Sequence, residues 1–505
     1  MAEVIFKDCK IEKQLKKLIE NDIQSEKKRK AKIADRYYNA EHDINDYRIF
    51  YINADGELVE DKSRSNIKIS HAFYTTLIDQ KTSYMLSGFD ISSDDEFLDS
   101  ELKKYFDDNF KSELAETVEN TSKIGFSYTY AQLGKDFRTR FKFADGIGII
   151  EVVDNKRESL EYIVNYYVTR ENETNKKKVI AVEVYDKKQA YYYFLKNSRL
   201  EKDETKSINP RPHKVWKETE PNGKVSYKGA GYNFIPFFRL DNNVNQFSDL
   251  KPVKNLIDDY DLMACGLSNN LQDIAEGIYV VKGFQGTDLT ELQQNIKTKK
   301  IVGVGEGGGL DIKTIDIPYE ARKTKLDLDE KGIYHFGMGF NPSQIGDGNI
   351  TNVVIKSRYA LLEFKCGKLE RKLRAFMQSL YEIVIAEINE RNKTNYSVDD
   401  IKTNYKRETP VNELDNAQIE QAEASVKNTK INTLLNLSSY IPQEIIIEEI
   451  CKILDIDEDR AKEEIKKQKD EGKSIDEISD YLLEVEKSVN TRGNASNTQE
   501  VDING

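Results

Sequence analysis

Residues 351–392 carry one apolar stripe that does not break: Leu362, Cys366, Leu369, Leu373, Phe376, Leu380, Val384 and Ile388 alternate three- and four-residue steps. That period is helical. At about 1.5 Å per residue, ~40 residues of helix span about 60 Å. An element of that length dictates the layout of what packs on it. Gly367 sits inside the stripe as a candidate kink, at a cost of about 1 kcal/mol relative to Ala.

Two further helices precede it. Leu250, Val253, Leu256, Ile257, Tyr260, Met263, Leu267, Leu271 and Ile274 mark one face of a helix expected from Asp249, with Ser248 as its N-cap, to near Gly277. A second is expected from Pro318 to Gly337, with proline in its favoured first turn. Between them, residues 277–317 read as a small α/β insert. It has a strand at Ile278–Lys282, a short helix around 288–299, and strands near Ile301–Val304 and Asp311–Ile317. A polar, turn-rich loop from Asn341 to Ile350 joins the second helix to the long one.

The remainder is mixed. Residues 10–40 read as one helix, on the spacing of Ile11, Leu15, Leu18, Ile19 and Ile23. The basic run Lys27, Lys28, Arg29, Lys30 and Lys32 within it reads as a solvated face, with a nucleic-acid contact as the other reading. A hairpin is expected over 47–61, turning at Ala54-Asp55-Gly56. Helices follow at about 68–86, stopping at Gly88, and 96–123, stopping at Gly125. Over 126–240 short Tyr-, Val- and Ile-rich runs alternate with turn signals such as Asn222-Gly223, which predicts strands. Tyr191-Tyr192-Tyr193 there is expected on a sheet surface rather than as a base-stacking platform. Residues 414–487 are expected as several shorter helices, and the Asn-, Ser- and Gly-rich end, 490–505, as a disordered tail. The expected fold class is therefore α+β, mainly helical.

The chemistry-bearing motifs fail one by one. The single GK[ST], Gly472-Lys473-Ser474, has Lys467 where a phosphate loop needs Gly. Gly303, Gly305 and Gly308 spell GxGxxG without a surrounding βαβ unit and read as a turn. His42, His71, His213 and His335 lack metal-ligand spacing, and no GxSxG occurs. Asp258-Asp259-Tyr260-Asp261 reads as a solvated helix face before it reads as a divalent-cation site. Cys9, Cys265, Cys366 and Cys451 form no CxxC pair, which suggests reduced, buried thiols. Neither a signal peptide nor an apolar run of ~18 residues is present, so assembly in a cytoplasm is expected, without a membrane. The formal net charge of −12 disfavours tight non-specific binding to nucleic-acid phosphates.

Taken in order, several segments resemble tailed-bacteriophage portal proteins of the siphophage type found with Gram-positive hosts. Arg36-Tyr37-Tyr38-Asn39-Ala40-Glu41-His42-Asp43-Ile44 is similar to the family's early YY-G-x-H-D-I segment, with Asn-Ala where Gly is common. Asn66, His71, Asp79-Gln80-Lys81 and Tyr84-Met85-Leu86-Ser87-Gly88 resemble its next helix and exit. Lys123-Ile124-Gly125, Pro236-Phe237, Asn242-Asn243, Ser248-Asp249-Leu250, Leu256-Ile257-Asp258-Asp259-Tyr260-Asp261, Ser268-Asn269-Asn270 and Ile278-Tyr279 continue the series. The resemblance covers about 30–390. Thr351-Asn352 stands where many relatives have Ser-Gly before the long helix, which blurs the loop's limits.

The resemblance implies a portal fold with wing, stem, clip and crown, its long helices around a central channel. The wing would be 1–248 plus 351–413, the stem helices 249–276 and 318–337, the clip 277–317 and the crown 414–489. The loop 338–350 would be the tunnel loop. Asn341, Ser343, Gln344, Ile345, Asp347, Asn349 and Thr351 are then the DNA-channel candidates. Arg322, Lys323 and Lys325 are candidates for a channel-facing basic ring, with outer-surface or inter-subunit ion pairs as the equal alternative. Asp288, Glu291, Lys297, Lys299 and Lys300 would face terminase or an adaptor from the clip. The implied role is non-enzymatic and needs no cofactor or metal. It is a ring of about twelve copies at one capsid vertex, passing double-stranded DNA without reading sequence. The implied partners are the terminase large subunit, major capsid and scaffolding proteins, and a head-completion adaptor. Two other classes are carried beside it: a metal-dependent nucleic-acid enzyme of a mobile element, and a helical scaffold unrelated to phage.

Overall fold

The computed structural model describes residues 9–62, 64–154, 159–171, 178–196, 199–219, 225–274, 278–284, 288, 292, 304–313, 318–342, 351–408, 413–437 and 440–454. Two compact units emerge: residues 1–346 with 357–409, and residues 347–356 with 410–505. Both α-helices and antiparallel strands build the first, so the chain is mixed α+β.

The first unit opens with α1 (Cys9–Gln24) and α2 (Glu26–Tyr38), two helices where the periodicity predicts one. Ser25 breaks the run by capping α2, its hydroxyl accepting from the Lys28 amide. The basic run on α2 is not a solvated face throughout. Lys28 is buried and donates to the carbonyls of Gly146 and Ile149 at 2.6 and 2.7 Å, and Lys27 lies 3.8 Å over the Phe126 ring. Strands β1 (Phe50–Ile52) and β2 (Leu58–Glu60) form the expected hairpin. Helix α3 (Phe73–Leu86) and strand β3 (Asp90–Ser92) follow. The helix expected over 96–123 is split into α4 (Glu96–Tyr105) and α5 (Asp108–Ile124), because Asp107 caps a new start through the Phe110 amide. Gly125 ends α5 in the left-handed conformation, φ 103°.

The strand-rich region has two main antiparallel sheets. Strand β4 (Phe126–Leu133) lies between β5 (Thr139–Ala144) and β14 (Phe237–Asp241). The larger sheet runs β10 (Arg199–Lys202), β9 (Gln189–Lys196), β8 (Lys178–Tyr185), β7 (Ser159–Glu171) and β6 (Ile149–Asp154), with β11 (Arg211–Pro212) also on β9. Leu15 and Ile19 of α1 pack on its face against Val164, Val182 and Tyr191. Strands β12 (Lys214–Thr219) and β13 (Val225–Ala230) pair as a ribbon; the turn expected at Asn222-Gly223 lies outside the described residues.

Helix α6 (Lys254–Ile274) starts five residues later than the stripe predicts. Pro252 has no amide hydrogen to donate, and residues 249–253 form tighter turns instead, with Val253 N bonded to Leu250 O at 3.0 Å. Strand β15 (Ile278–Phe284) pairs with β16 (Val304–Lys313), one continuous strand where two were expected. The helix expected over 288–299 lies outside the described residues except at Asp288 and Leu292. Helix α7 (Tyr319–Gly337) matches its prediction, and α8 (Asn352–Asn392) runs unbroken for 41 residues. The α8 stripe is the spine of the main core: Leu362, Cys366, Leu369, Leu373, Leu380, Val384 and Ile388 are buried against α4, α5 and the end of α3. Strand β17 (Lys402–Asn404) returns the chain to β3.

In the second unit α9 (Glu413–Asn436) and α10 (Gln443–Leu454) share a small core of Ile431, Ile446, Ile450 and Cys451. No helix among the described residues is long and apolar enough to cross a membrane.

Candidate functional site

Helices α6 and α7 pack against each other as an antiparallel pair that brackets the β15–β16 ribbon. Ion pairing explains why they align. Lys325 on α7 reaches Asp259 on α6 at 2.5 Å and Asp329 one turn along its own helix, also at 2.5 Å. Arg322 lies over Gly266, and the carboxamide oxygen of Asn270, turned toward it, accepts from its guanidinium at 2.7 and 3.1 Å. Two of the three predicted channel cations are thus engaged within their own chain. Lys323 is exposed and has no ion-pair partner among the described residues.

The acidic run on α6 is not a solvated face either. Asp258 accepts from the Tyr37 hydroxyl and from Lys254, Asp259 holds Lys325, and Asp261 is fully buried. Asp261 takes the backbone amide of His71 at 3.0 Å and faces the Nδ1 atoms of His71 and His42 at 2.7 and 2.6 Å. Burial alone would raise its pKa, but these bonds outweigh burial and hold the carboxyl below its ordinary range.

The His71 bond is the last rung of a ladder. Residues 65–71 lie extended along α6, and every second amide meets a side chain four residues further back on the helix. Ser65 N donates to Asp273 at 3.2 Å, Ile67 N to Asn269 at 2.7 Å, Ile69 N to Cys265 Sγ at 3.2 Å, and His71 N to Asp261. The match is metric: two extended residues advance about 6.6 Å, and four helical ones about 6.0 Å. Local periodicity and turn signals do not encode this strap. Its trace is acceptor side chains at 261, 265, 269 and 273, spaced by four.

A second polar node fixes the start of α6. Asp249 lies between the ammonium groups of Lys81 on α3 and Lys365 on α8, at 2.9 and 3.1 Å, and accepts from Asn242 at 2.8 Å. Burial opposes the charge on Asp249, yet Lys365 and Lys81 prevail and carry its pKa well below the carboxylate range. The loop leaving α7 is pinned at its base. The Gln80 side chain donates to Phe340 O at 2.7 Å and accepts from Phe340 N at 3.0 Å, and Phe340 stacks on Tyr359. Asn341 is buried and donates to Glu330 at 2.9 Å.

Against this geometry, the family model for phage portal proteins of the SPP1 Gp6-like type matches residues 17–477. The chain belongs to that family. It is 27% identical over 372 residues to the portal protein of Bacillus phage SPP1, covering 72% of this chain and 71% of that one. To the portal protein of Clostridium phage phiCD119 it is 28% identical over 417 residues, covering 79% of this chain and 87% of that one. A portal protein is a structural, non-enzymatic part of the virion, the DNA channel at a vertex of the capsid. The family implies an oligomeric ring through which DNA passes.

Of the residues expected to act in the portal channel, Asn341 sits at the buried base of the loop and Thr351 is exposed immediately before α8. Ser343, Gln344, Ile345, Asp347 and Asn349 lie outside the described residues, as do Glu291, Lys297, Lys299 and Lys300; Asp288 is exposed.

Proposed function

We propose that α6 and α7 are the stem of a portal subunit, the β15–β16 segment its clip, the loop 338–350 its tunnel loop, and the helices after 414 its crown. Residues 1–248 with 351–413 form the wing. The observation that carries this reading is the antiparallel α6–α7 pair, bracketing a small insert and followed through one loop by the 41-residue α8. Residues 341–352 carry one acid, Asp347, and no Lys or Arg. A ring of such loops contacts DNA sterically without the phosphate ion pairs whose summed release would be slow. The Gln80–Phe340 pair gives the loop a rigid base from which to act. About twelve copies close the ring. Its clip receives the terminase large subunit during packaging and a head-completion adaptor afterwards, while capsid and scaffolding proteins meet the wing.

Native mass with electron-microscope images of the same sample tests the reading. Twelve copies of 58.2 kDa weigh about 700 kDa, and a ring with a central hole is expected. A monomer or dimer at micromolar concentration counts against it. Deleting 341–350 is expected to leave rings intact and to block DNA packaging or retention; loss of the ring itself would overturn the loop assignment.

A further inference from the structure

Rotational rings are closed by a heterologous contact, so each subunit presents two different, complementary faces. The β1–β2 hairpin has the properties of one of them. Ile52 stands opposite Leu58 across the two strands, and Phe50 lies two residues away on the same side. These side chains are 70%, 69% and 50% exposed. A two-stranded ribbon with an uncovered apolar side is marginal in water, yet this one is built firmly. Asn53 accepts from the amides of Asp55 and Glu57 at 3.0 and 2.8 Å to fix its turn, and Arg48 pairs with Glu60 at its base. Its tip is acidic, through Asp55 and Glu57.

The strap decides where this hairpin sits. Asn66 donates to Tyr47 O and Ser65 is bonded to Asp273, so the hairpin rises from the C-terminal end of α6, on the side that carries Asn269 and Asp273. Leu271, between those two in sequence, lies about 200° around the helix from each, on the opposite side, and is 60% exposed. The same helical rotation, taken with Arg322 and Lys325 facing α6, places Tyr319 and Lys323 of α7 on the Leu271 side. Tyr319 is 53% exposed, and Lys323 is exposed with no ion-pair partner among the described residues.

We infer that the β1–β2 hairpin of one subunit docks on the Leu271–Tyr319–Lys323 face of the next, the apolar side of Ile52, Leu58 and Phe50 covering Leu271 and Tyr319 while the acidic tip meets Lys323. The occupant is a second copy because the two faces are complementary in both apolarity and charge, lie on opposite sides of one helix pair, and stand at the same end of it. Rotation about an axis running along that pair brings them to the same height. This inference rests on the stem reading given above.

The test uses the full chain with Ile52→Cys and Tyr319→Cys and a short bis-maleimide. The double variant is expected to give a ladder of covalent multimers. A mixture of the two single variants is expected to stop at dimers, and the wild-type chain, treated alike, to give neither. Ile52→Asp with Leu58→Asp, both exposed and therefore expected to leave the melting temperature nearly unchanged, should reduce the ring fraction at least tenfold. Lys323→Glu should weaken assembly, and restoring opposite charge with Asp55→Lys and Glu57→Lys should recover it. Rings that form without cross-linking and survive the hairpin substitutions overturn this inference alone. A wild-type chain that makes no ring removes the stem reading and this inference together.

Discussion

Asp261 binds His71 twice, accepting its backbone amide at 3.0 Å and facing its Nδ1 at 2.7 Å. One buried carboxylate therefore fixes both the end of the strap and the ring that closes it, and its other oxygen holds His42. Asp261→Ala leaves three buried or half-buried donors without an acceptor, at roughly 1–3 kcal/mol each. We expect a loss of at least about 3 kcal/mol, read from the urea midpoint. Asp261→Asn, which keeps one oxygen, should lose less. An Ala variant as stable as the parent would show that the strap is not held by these bonds.

Acid should act through Asp249. Its folded pKa lies below the unfolded value because Lys365 and Lys81 outweigh the burial that opposes its charge. Its contribution is thus fully present above about pH 4, the unfolded carboxylate range, and drains away as pH falls toward the folded value. Between pH 6 and pH 3 the urea midpoint of the parent should fall. In Asp249→Asn the midpoint should start lower, by the ~3–5 kcal/mol that unpaired buried ammonium groups cost, and fall less over the same range.

Lys325→Ala separates a structural cation from one that faces DNA. It leaves Asp329, nearly buried, without its ammonium partner, and unpins α7 from Asp259. Lys325 is itself partly exposed, so solvent screening limits the loss to about 1–3 kcal/mol. Calorimetry on the purified chain should show it without any DNA present. A variant of parental stability that changes only DNA passage would return Lys325 to the channel.

Gly125 needs no Cβ in two senses. Its φ of 103° is the left-handed region, and a Cβ there would stand 2.3 Å from the backbone oxygen of Gln246. Gly125→Ala should cost at least about 2 kcal/mol, seen as a lower thermal midpoint. The neighbouring strand β4, which leads out of this turn, should lose hydrogen-exchange protection first.

Much of the fold was legible because it is locally encoded. The α8 stripe, the hairpin over 47–61, the stop at Gly125 and the start of α7 at Pro318 each follow from residues within one or two turns of one another. Three helix boundaries moved where a single residue overrode a longer period. Ser25 and Asp107 each restart a helix by capping it, and Pro252 delays α6, while the apolar spacing runs on regardless.

The ordered run of segments from Arg36 to Tyr279, with its two helices around an insert, was enough by itself to place the chain among portal proteins, since order and spacing survive in sequence. Charge was another matter. Lys28, Asp261 and Lys325 each read as solvent-facing or channel-facing ions, and each is satisfied by groups distant in the chain: Gly146 and Ile149, His42 and His71, Asp259. A buried charge needs a partner, but nothing in the local sequence says which one. Only the tertiary structure brings the strap onto α6 and decides which ions are spent holding the subunit together. Lys323 and the acidic tip of the hairpin are among the charges it leaves facing outward.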